Sequence, residues 1–217
     1  MVLPAAGCKG ALSTIDPAGP AAREIATLWW VLLIGATFIF IFVTMCMTLG
    51  FRKSKARPQS DAQDVKVWIF GLGLGFPLTV LTALLAYGLV IGEALLPHQE
   101  PDLVRVSAEA RQWEWRFGYS DASARVTTDV LHLPAGRPVD VAITSTDVIH
   151  SFWVPRLAGK LDAVPGHINT LRIEADEPGE YQGLSSEYSG KGYREHRFVV
   201  IAYEPEAWER FLAGETP

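Results

Sequence analysis

The sequence predicts two transmembrane helices that form a hairpin, followed by an all-β sandwich that ends in a short helix. Two runs without a charged residue, 25–51 and 67–92, each exceed the roughly 20 apolar residues that cross a bilayer. Short segments with alternating apolar residues fill most of the remainder, and an amphipathic stretch stands near the end. With 49% hydrophobic residues among 217, the chain is too apolar to be disordered.

The charges around the two spans predict the domain organisation and the orientation in the membrane. Residues 1–24 form an external segment, 25–92 the helical hairpin with its connecting loop at 52–66, and 93–217 the β domain. The connecting loop is basic, whereas the outer flanks carry mainly acidic residues. Because basic loops stay in the cytoplasm, we expect both termini and the β domain on the periplasmic side of a bacterial inner membrane. The basic residues that follow the first span are Arg52, Lys53, Lys55 and Arg57.

The two cysteines are too few for a disulfide framework. Cys46 lies inside the first span and is expected to be a packing residue. Cys8 ends the stretch "LPAAGC", which resembles a lipoprotein processing site, so Cys8 is a candidate for lipid modification. Only seven residues precede it, fewer than a signal segment requires. Two explanations remain open: the start of the protein is assigned too far downstream, or the resemblance to a processing site is due to chance.

The β domain begins with an alternating stretch that changes phase. Alternation starts at Val104, slips at Arg111–Gln112 and resumes through Trp115 to Tyr119, which predicts a bulged strand. Further strands are predicted in "RPVDVAITS", "HINTLRIEA" and "HRFVVIAYE", with a turn at "DEPGEY". Short strands at this spacing indicate a β-sandwich or a Greek-key barrel.

A short helix is predicted in "EPEAWERFLAG" near the C-terminus. Pro205 suits its first turn, Trp208, Phe211 and Leu212 form one apolar face, and Gly214 ends it.

This order of parts resembles subunit II of the haem–copper respiratory oxidases. "RQWEWRFGY" is similar to the family's Trp-x-Trp-x-Phe-x-Tyr segment. "DVIHSFWVPRLAGKLDAVPGHIN" matches its Asp-Val-x-His-Ser-Phe-x-Val-Pro…Lys-x-Asp-Ala-x-Pro-Gly stretch. The resemblance implies a cupredoxin-like Greek-key sandwich within a proton-pumping terminal oxidase of the aerobic respiratory chain. It also implies a partner subunit I that carries the haems and one copper ion, called CuB, and a third subunit.

The loop "SSEYSGKGYREH" resembles a copper-binding loop without its thiolates. Family members that oxidise cytochrome c have Cys-Ser-Glu-x-Cys-Gly-x-x-His-x-x-Met there, which holds the dinuclear copper centre CuA. A serine hydroxyl cannot bridge two copper ions as a thiolate does. The resemblance therefore predicts no metal, no cofactor and no catalytic residue in this chain. The positions that correspond to the CuA ligands are His150, Ser185, Glu187, Ser189, Tyr193 and His196.

Two alternatives to an unliganded loop concern metals and electron donors. A mononuclear copper or zinc site of His150, Glu187 and His196 is the less expected reading of the loop. Trp113 and Trp115 are candidate contacts for a cytochrome c donor, although aromatic residues of a strand more often belong to a core. Residues 93–217 contain 20 acidic and 12 basic residues, a net charge of −8 that could steer a basic partner.

The stretch "SSEYSGKGY" resembles the Ser-x-Ser-Tyr-Ser-Gly-x-Gly-Phe loop of cytochrome bo-type quinol oxidases, which lack CuA. The expected function is therefore that of a structural subunit II in a quinol:O2 oxidoreductase, where membrane quinol binds subunit I. His150 and Glu187 remain from the copper-binding pattern. A docking subunit of a cytochrome c-oxidising or nitric oxide-reducing enzyme that has lost CuA is the alternative.

Asp64 is a candidate proton-entry group at the cytoplasmic start of the second span. It lies four residues before Trp68, near the place where the family has a glutamate. A solvated acid at a helix start, favoured by the helix dipole, is the simpler explanation. The chain's net charge of −5 gives no reason to expect a nucleic-acid partner.

Overall fold

The computed structural model describes residues 9–52, 66–97 and 102–215. The chain divides into two compact units, one of Trp29–Leu95 and one that joins Met1–Leu28 to Leu96–Pro217. Cys8, Asp64 and Lys53–Arg57 lie outside the described residues.

Within the described ranges, two helices have the length and composition to cross a membrane. The first is α1, Pro20–Arg52, with a mean hydropathy of 2.4 in its most apolar stretch. The second reaches 2.1 and has two parts, a π-helical segment at Lys66–Gly75 followed by α2 at Phe76–Ala94. Both predicted spans are therefore helical. Most of the large apolar side chains that are exposed in the described residues lie on them, as expected of surfaces that face lipid or partner helices.

The π-helical segment was not foreseen from the sequence. It holds Gly71, Gly73 and Gly75, and Pro77 follows in the first turn of α2. A side chain at Gly75 would lie 3.2 Å from the carbonyl oxygen of Phe70, so glycine suits this tightly spaced backbone. Helix type can be read from a sequence only through the period of its apolar residues. This run is apolar throughout and has no period, so its sequence does not distinguish a π-helix from an α-helix.

The β domain opens with a hairpin where the sequence predicted one bulged strand. Strand β1, Val104–Arg111, pairs antiparallel with β2, Glu114–Tyr119, and Arg111 lies opposite Glu114. The bulge at Arg111–Gln112 is therefore wrong. A two-residue turn reverses the chain and makes Ala110 and Trp115 partners on the same face of the sheet. The reversal explains why the apolar residues of the second segment alternate one residue out of phase with those of the first.

In the part of the chain that the structure describes, ten strands form two five-stranded sheets. One has the order β3-β2-β1-β5-β8, with β3 at Ala122–Thr128, β5 at Val139–Ser145 and β8 at Asn169–Ile173. The other has the order β4-β10-β9-β6-β7. Its strands are β4 at Val130–Pro134, β6 at His150–Trp153, β7 at Leu161–Ala163, β9 at Gly179–Ser185 and β10 at Arg197–Tyr203. The pairs β1–β5 and β4–β10 are parallel and the others antiparallel. The predicted strands β5, β8 and β10 are confirmed.

An aromatic core fills the β domain. Trp115 and Phe117 of one sheet meet Phe152 and Phe198 of the other, with ring centroids 5.5 Å apart for Trp115 and Phe198. The predicted C-terminal helix is confirmed as α3, Pro205–Leu212, which buries Trp208 and Phe211. These rings give the domain a rigid interior beneath the loop between β9 and β10.

The segment Asp16–Arg23, called here the N-terminal clasp, is hydrogen-bonded to the β domain. The Ala18 N–H donates to the Arg156 carbonyl at 2.7 Å, and the Asp176 N–H donates to the Ala18 carbonyl at 2.9 Å. Arg23 forms a two-point ion pair with Asp176 at 2.9 and 3.0 Å. A side chain at Gly19 would lie 2.1 Å from the Glu174 carbonyl, so only glycine allows this approach. The first turns of α1 therefore belong to the same folded unit as the sandwich.

Candidate functional site

The candidate site lies beneath the loop Ser186–His196, which joins β9 to β10. The Ser185 N–H donates to the His196 carbonyl at 2.9 Å and closes the loop at its base. Gly190 and Gly192 have φ angles of 123° and 109°, a region that favours glycine. The "SGKG" sequence thus gives the loop its tight path, and a 3₁₀ turn at Tyr193–Glu195 leads back to His196.

Two buried histidines meet under this loop. His150, on β6, is 0% exposed, and His196, directly before β10, is 2% exposed. Their ring centroids are 5.0 Å apart with an interplanar angle of 79°. Trp115 stacks on His196 at 5.7 Å and presents an edge-on contact to His150 at 6.4 Å. The pair therefore caps the aromatic core.

Asp147 fixes the orientation of His150. Its Oδ1 lies 2.9 Å from His150 Nε2, and it also accepts the Gln112 N–H at 2.7 Å and the Val148 N–H at 2.6 Å. Burial raises the pKa of Asp147, but these hydrogen bonds outweigh it and lower the pKa to about 2. An ionised carboxylate only accepts hydrogen bonds, so His150 Nε2 is the donor in this contact. In the described structure, His150 Nδ1 has no hydrogen-bond partner.

The surroundings of His196 lower the pKa of its imidazole ring. Burial lowers its pKa, the neighbouring His150 lowers it further, and the nearby Glu114 carbonyl opposes the shift. Neither ring nitrogen makes a hydrogen bond of normal geometry within the described residues, and the same is true of Ser189 Oγ.

The remaining positions of the loop differ in burial. Ser185 is 2% exposed, and its hydroxyl accepts the Ser151 N–H at 3.3 Å. The Glu187 side chain is 43% exposed and lies 3.3 Å from Lys160 Nζ. The Tyr188 N–H and Lys160 together lower the pKa of Glu187. Glu187 therefore lies at the surface, apart from the buried histidines. Among residues 9–52, 66–97 and 102–215, no group of three His, Cys, Asp or Glu could hold a metal ion.

The two candidate docking tryptophans have opposite environments. Trp113 is 41% exposed, with its ring 6.0 Å from His196 between centroids. Trp115 is 0% exposed and lies in the core. Trp115 cannot meet a partner directly, which corrects the expectation that both rings could. The sequence also gave no role to Gln112, whose Nε2 donates to the Ser189 carbonyl at 2.5 Å. Gln112 and Asp147 are distant in sequence from the loop, so only the fold reveals their contacts.

The side chains of this site do not fit the dinuclear centre CuA. Two thiolates must bridge the copper ions, and Ser185 and Ser189 offer only hydroxyl groups at those positions. His150 is the one imidazole that stands where the copper-binding members have histidine.

Comparison with known proteins identifies the family. Residues 104–204 match the family described as "Cytochrome C oxidase subunit II, periplasmic domain". The ubiquinol oxidase subunit 2 of Acetobacter aceti is 30% identical over 217 residues, which cover 94% of this chain and 69% of that protein. The chain therefore belongs to the subunit II family of haem–copper terminal oxidases, with a cupredoxin-like β domain.

Other relatives come from both branches of that family. The cytochrome c oxidase subunit 2 of Alkalihalophilus pseudofirmus is 30% identical over 96% of this chain, which spans 64% of that protein's length. The quinol oxidase subunit 2 of Bacillus cereus is 27% identical over 95% of this chain and 74% of its own length. The periplasmic domain of cytochrome oxidase subunit II from Bradyrhizobium japonicum shares 20% identity with a TM-score of 0.49, covering 55% of this chain and 96% of that one.

Proposed function

We propose that this chain is the non-catalytic subunit II of a quinol:O2 oxidoreductase, in which electrons enter the complex without passing through it. The observation that carries the proposal is the donor set under the loop: two histidines and serine hydroxyls, without a thiolate. A copper pair that relays electrons needs thiolate bridges. The relatives from Acetobacter aceti and Bacillus cereus, named as ubiquinol and quinol oxidase subunits, support the same donor.

The proposal assigns the redox chemistry to other subunits. Subunit I would carry the haems and CuB and would bind quinol, which reaches it through the lipid bilayer. A third subunit would complete the assembly. The role of this chain is then structural, since its two apolar helices suit packing against partner helices in lipid.

The donor can be tested by oxygen uptake of the purified complex. We expect turnover with a ubiquinol analogue, inhibition by quinone-site blockers and little turnover with reduced cytochrome c. Trp113→Ala removes the exposed ring beside the loop. It should change quinol turnover by less than about twofold, because no electron crosses this surface.

Fast turnover with cytochrome c that depends on salt and collapses in Trp113→Ala would contradict the proposal. That result would support the docking-subunit alternative, because salt screens the attraction between an acidic domain and a basic cytochrome.

The N-terminal clasp supports the proposed membrane topology. One folded unit contains both the clasp and the β domain, so both must lie on the same side of the membrane. We place them in the periplasm, with the basic loop 52–66 in the cytoplasm.

Cysteine labelling tests this topology. In a background that lacks Cys8 and Cys46, Asp121→Cys should react with an impermeant maleimide in cells with a permeable outer membrane, because Asp121 is an exposed turn residue. Lys55→Cys should react only after lysis. The reverse pattern would invert the topology, and labelling of both in intact cells would rule out the hairpin.

A further inference from the structure

The C-terminal helix α3 packs against the β domain through the side chain of His132. This histidine lies on β4, and its ring stacks on Phe211 of α3 with centroids 4.4 Å apart and an interplanar angle of 21°. Its Nδ1 lies 2.9 Å from the hydroxyl of Tyr203 on β10, and the rings of His132 and Tyr203 are parallel within 3°. His132 therefore joins the helix to two strands of one sheet.

A permanent positive charge lies at the same contact. The Arg125 guanidinium, from β3, lies 4.0 Å from the centroid of the Phe211 ring and donates a hydrogen bond to the Phe211 carbonyl. The Phe211 ring thus contacts both the imidazole of His132 and the guanidinium of Arg125. A second positive charge on the imidazole would be added to a contact that already contains one.

The other titratable groups that face His132 are phenols. From β10 comes the Tyr203 hydroxyl, and from β2 the Tyr119 hydroxyl, which accepts the His132 N–H at 2.9 Å. Burial raises the pKa of both phenols, so neither is ionised at neutral or acidic pH. From α3 the facing side chain is the apolar ring of Phe211, because the charged residues of this helix are exposed. They are Glu206, Glu209 and Arg210.

These surroundings disfavour a charged imidazole. Burial lowers the pKa of His132, and the positive charge of Arg125 lowers it further, to about 4. A histidine in water has a pKa of about 6.5. Since the packed state has the lower pKa, its advantage over a released state is complete above about pH 6.5. That advantage declines as the pH falls from there towards about 4.

We propose that His132 is an acid-sensitive latch, meaning that protonation of its ring releases α3 from β4 and β10. Release lets the charged imidazole reach water and separates it from Arg125. An eight-residue helix is unstable on its own, so α3 unfolds once it leaves the sheet. Trp208 and Phe211, which are buried in the packed state, then become exposed.

The latch goes beyond the proposed function, since it concerns neither the electron donor nor the loop Ser186–His196. With the β domain in the periplasm, as proposed above, the latch responds to acid outside the membrane and not to the pH of the cytoplasm. That physiological meaning depends on the proposed topology, whereas the titration that tests the latch does not.

Hydrogen–deuterium exchange of the full chain in detergent, between about pH 7.5 and about pH 4.5, tests the latch. The exchange rate of the α3 peptide, divided by its intrinsic rate at each pH, gives the opening equilibrium of the helix. Linkage permits at most about tenfold more opening per pH unit below about pH 6.5. Because His132 is only partly buried, we expect about tenfold more opening at the acid end, while β5 keeps its protection.

Three variants separate the latch from other effects of acid. His132→Gln removes the titrating ring but keeps a polar side chain near Tyr203, and His132→Phe keeps an aromatic ring against Phe211. In both, opening of α3 should change by less than about twofold over the same pH range, whatever its level at neutral pH. His167→Gln, at an exposed histidine, should follow the parent chain.

Three results would overturn the proposal. The first is constant protection of α3 in the parent chain between neutral pH and the acid end. The second is the parent's pH dependence in a folded His132→Phe variant. The third is an equal loss of protection in α3 and β5, because that pattern indicates general unfolding by acid.

Discussion

Replacing Trp115 with alanine is expected to destabilise the β domain by about 3–5 kcal/mol. The indole is 0% exposed and contacts five aromatic rings of the core and the site, so its removal leaves a large cavity between rigid neighbours. Those rings are Phe117, Phe152, Phe198, His150 and His196. A loss of this size is a large part of the 5–15 kcal/mol that typically stabilises a domain.

Thermal unfolding of the full chain in detergent, followed by circular dichroism of the β signal, measures the effect. We expect the melting temperature to fall by about 10 °C or more. Trp113→Ala is the matched control, because it removes the same side chain two residues away from a position that is 41% exposed. It should cost about 1 kcal/mol or less. Equal losses in the two variants would contradict the assignment of Trp115 to the core.

A second large effect is expected from restoring the missing copper ligands. The variant S185C/S189C/Y193H/H196M combines two thiolates, a histidine and a methionine with the retained His150 and Glu187. Ser185 and Ser189 are 2% and 5% exposed, so the new thiolates would lie in a shielded site, one at the end of β9 and one within the loop. Since soft thiolates bridge and hold copper, we expect a dinuclear copper centre in place of none.

Copper content and absorption spectra measure this gain. The fourfold variant should bind two copper ions per chain and show the intense visible and near-infrared absorption of a thiolate-bridged pair. The matched control, S185C/Y193H/H196M, keeps Ser189 and cannot form two bridges, so it should lack that spectrum. The same spectrum in both variants, or no copper binding by the fourfold variant, would contradict the prediction. Either result would mean that the backbone of this loop cannot position the ligands of a dinuclear copper centre.

The elements that could be predicted from the sequence are those in which buried positions leave a regular pattern of apolar residues along the chain. The two spans follow from apolar runs longer than a bilayer is thick, and β5, β8, β10 and α3 show regular alternation or one apolar face. Short or polar strands lack such a pattern. Strand β7 has three residues, and β9 includes two glycines, Gly179 and Gly183. These segments are strands because they pair with neighbouring strands, and that pairing is not visible in their local sequence.

The sequence was enough to predict which residues belong to the candidate site, but not how their side chains are arranged in space. Motif spacing indicated His150, the serines and His196, because loop positions are fixed along the chain. Burial separates them: His196 enters the core beside His150, whereas Glu187 is drawn to the surface by Lys160. The support from Asp147 comes from a turn before β6, and that from Gln112 comes from the β1–β2 turn. Such contacts depend on how two sheets close over one another.

The N-terminal clasp also sets the order in which the protein can finish folding. Its contacts join residues that are 140 and 153 positions apart, Asp16 with Arg156 and Arg23 with Asp176. Contacts of such high sequence separation form late, because a long loop must close first. Until then the Arg156 carbonyl and the Asp176 N–H have no clasp partner. The clasp can therefore form only after most of the chain has been synthesised, and a fragment that begins at Glu93 lacks these contacts.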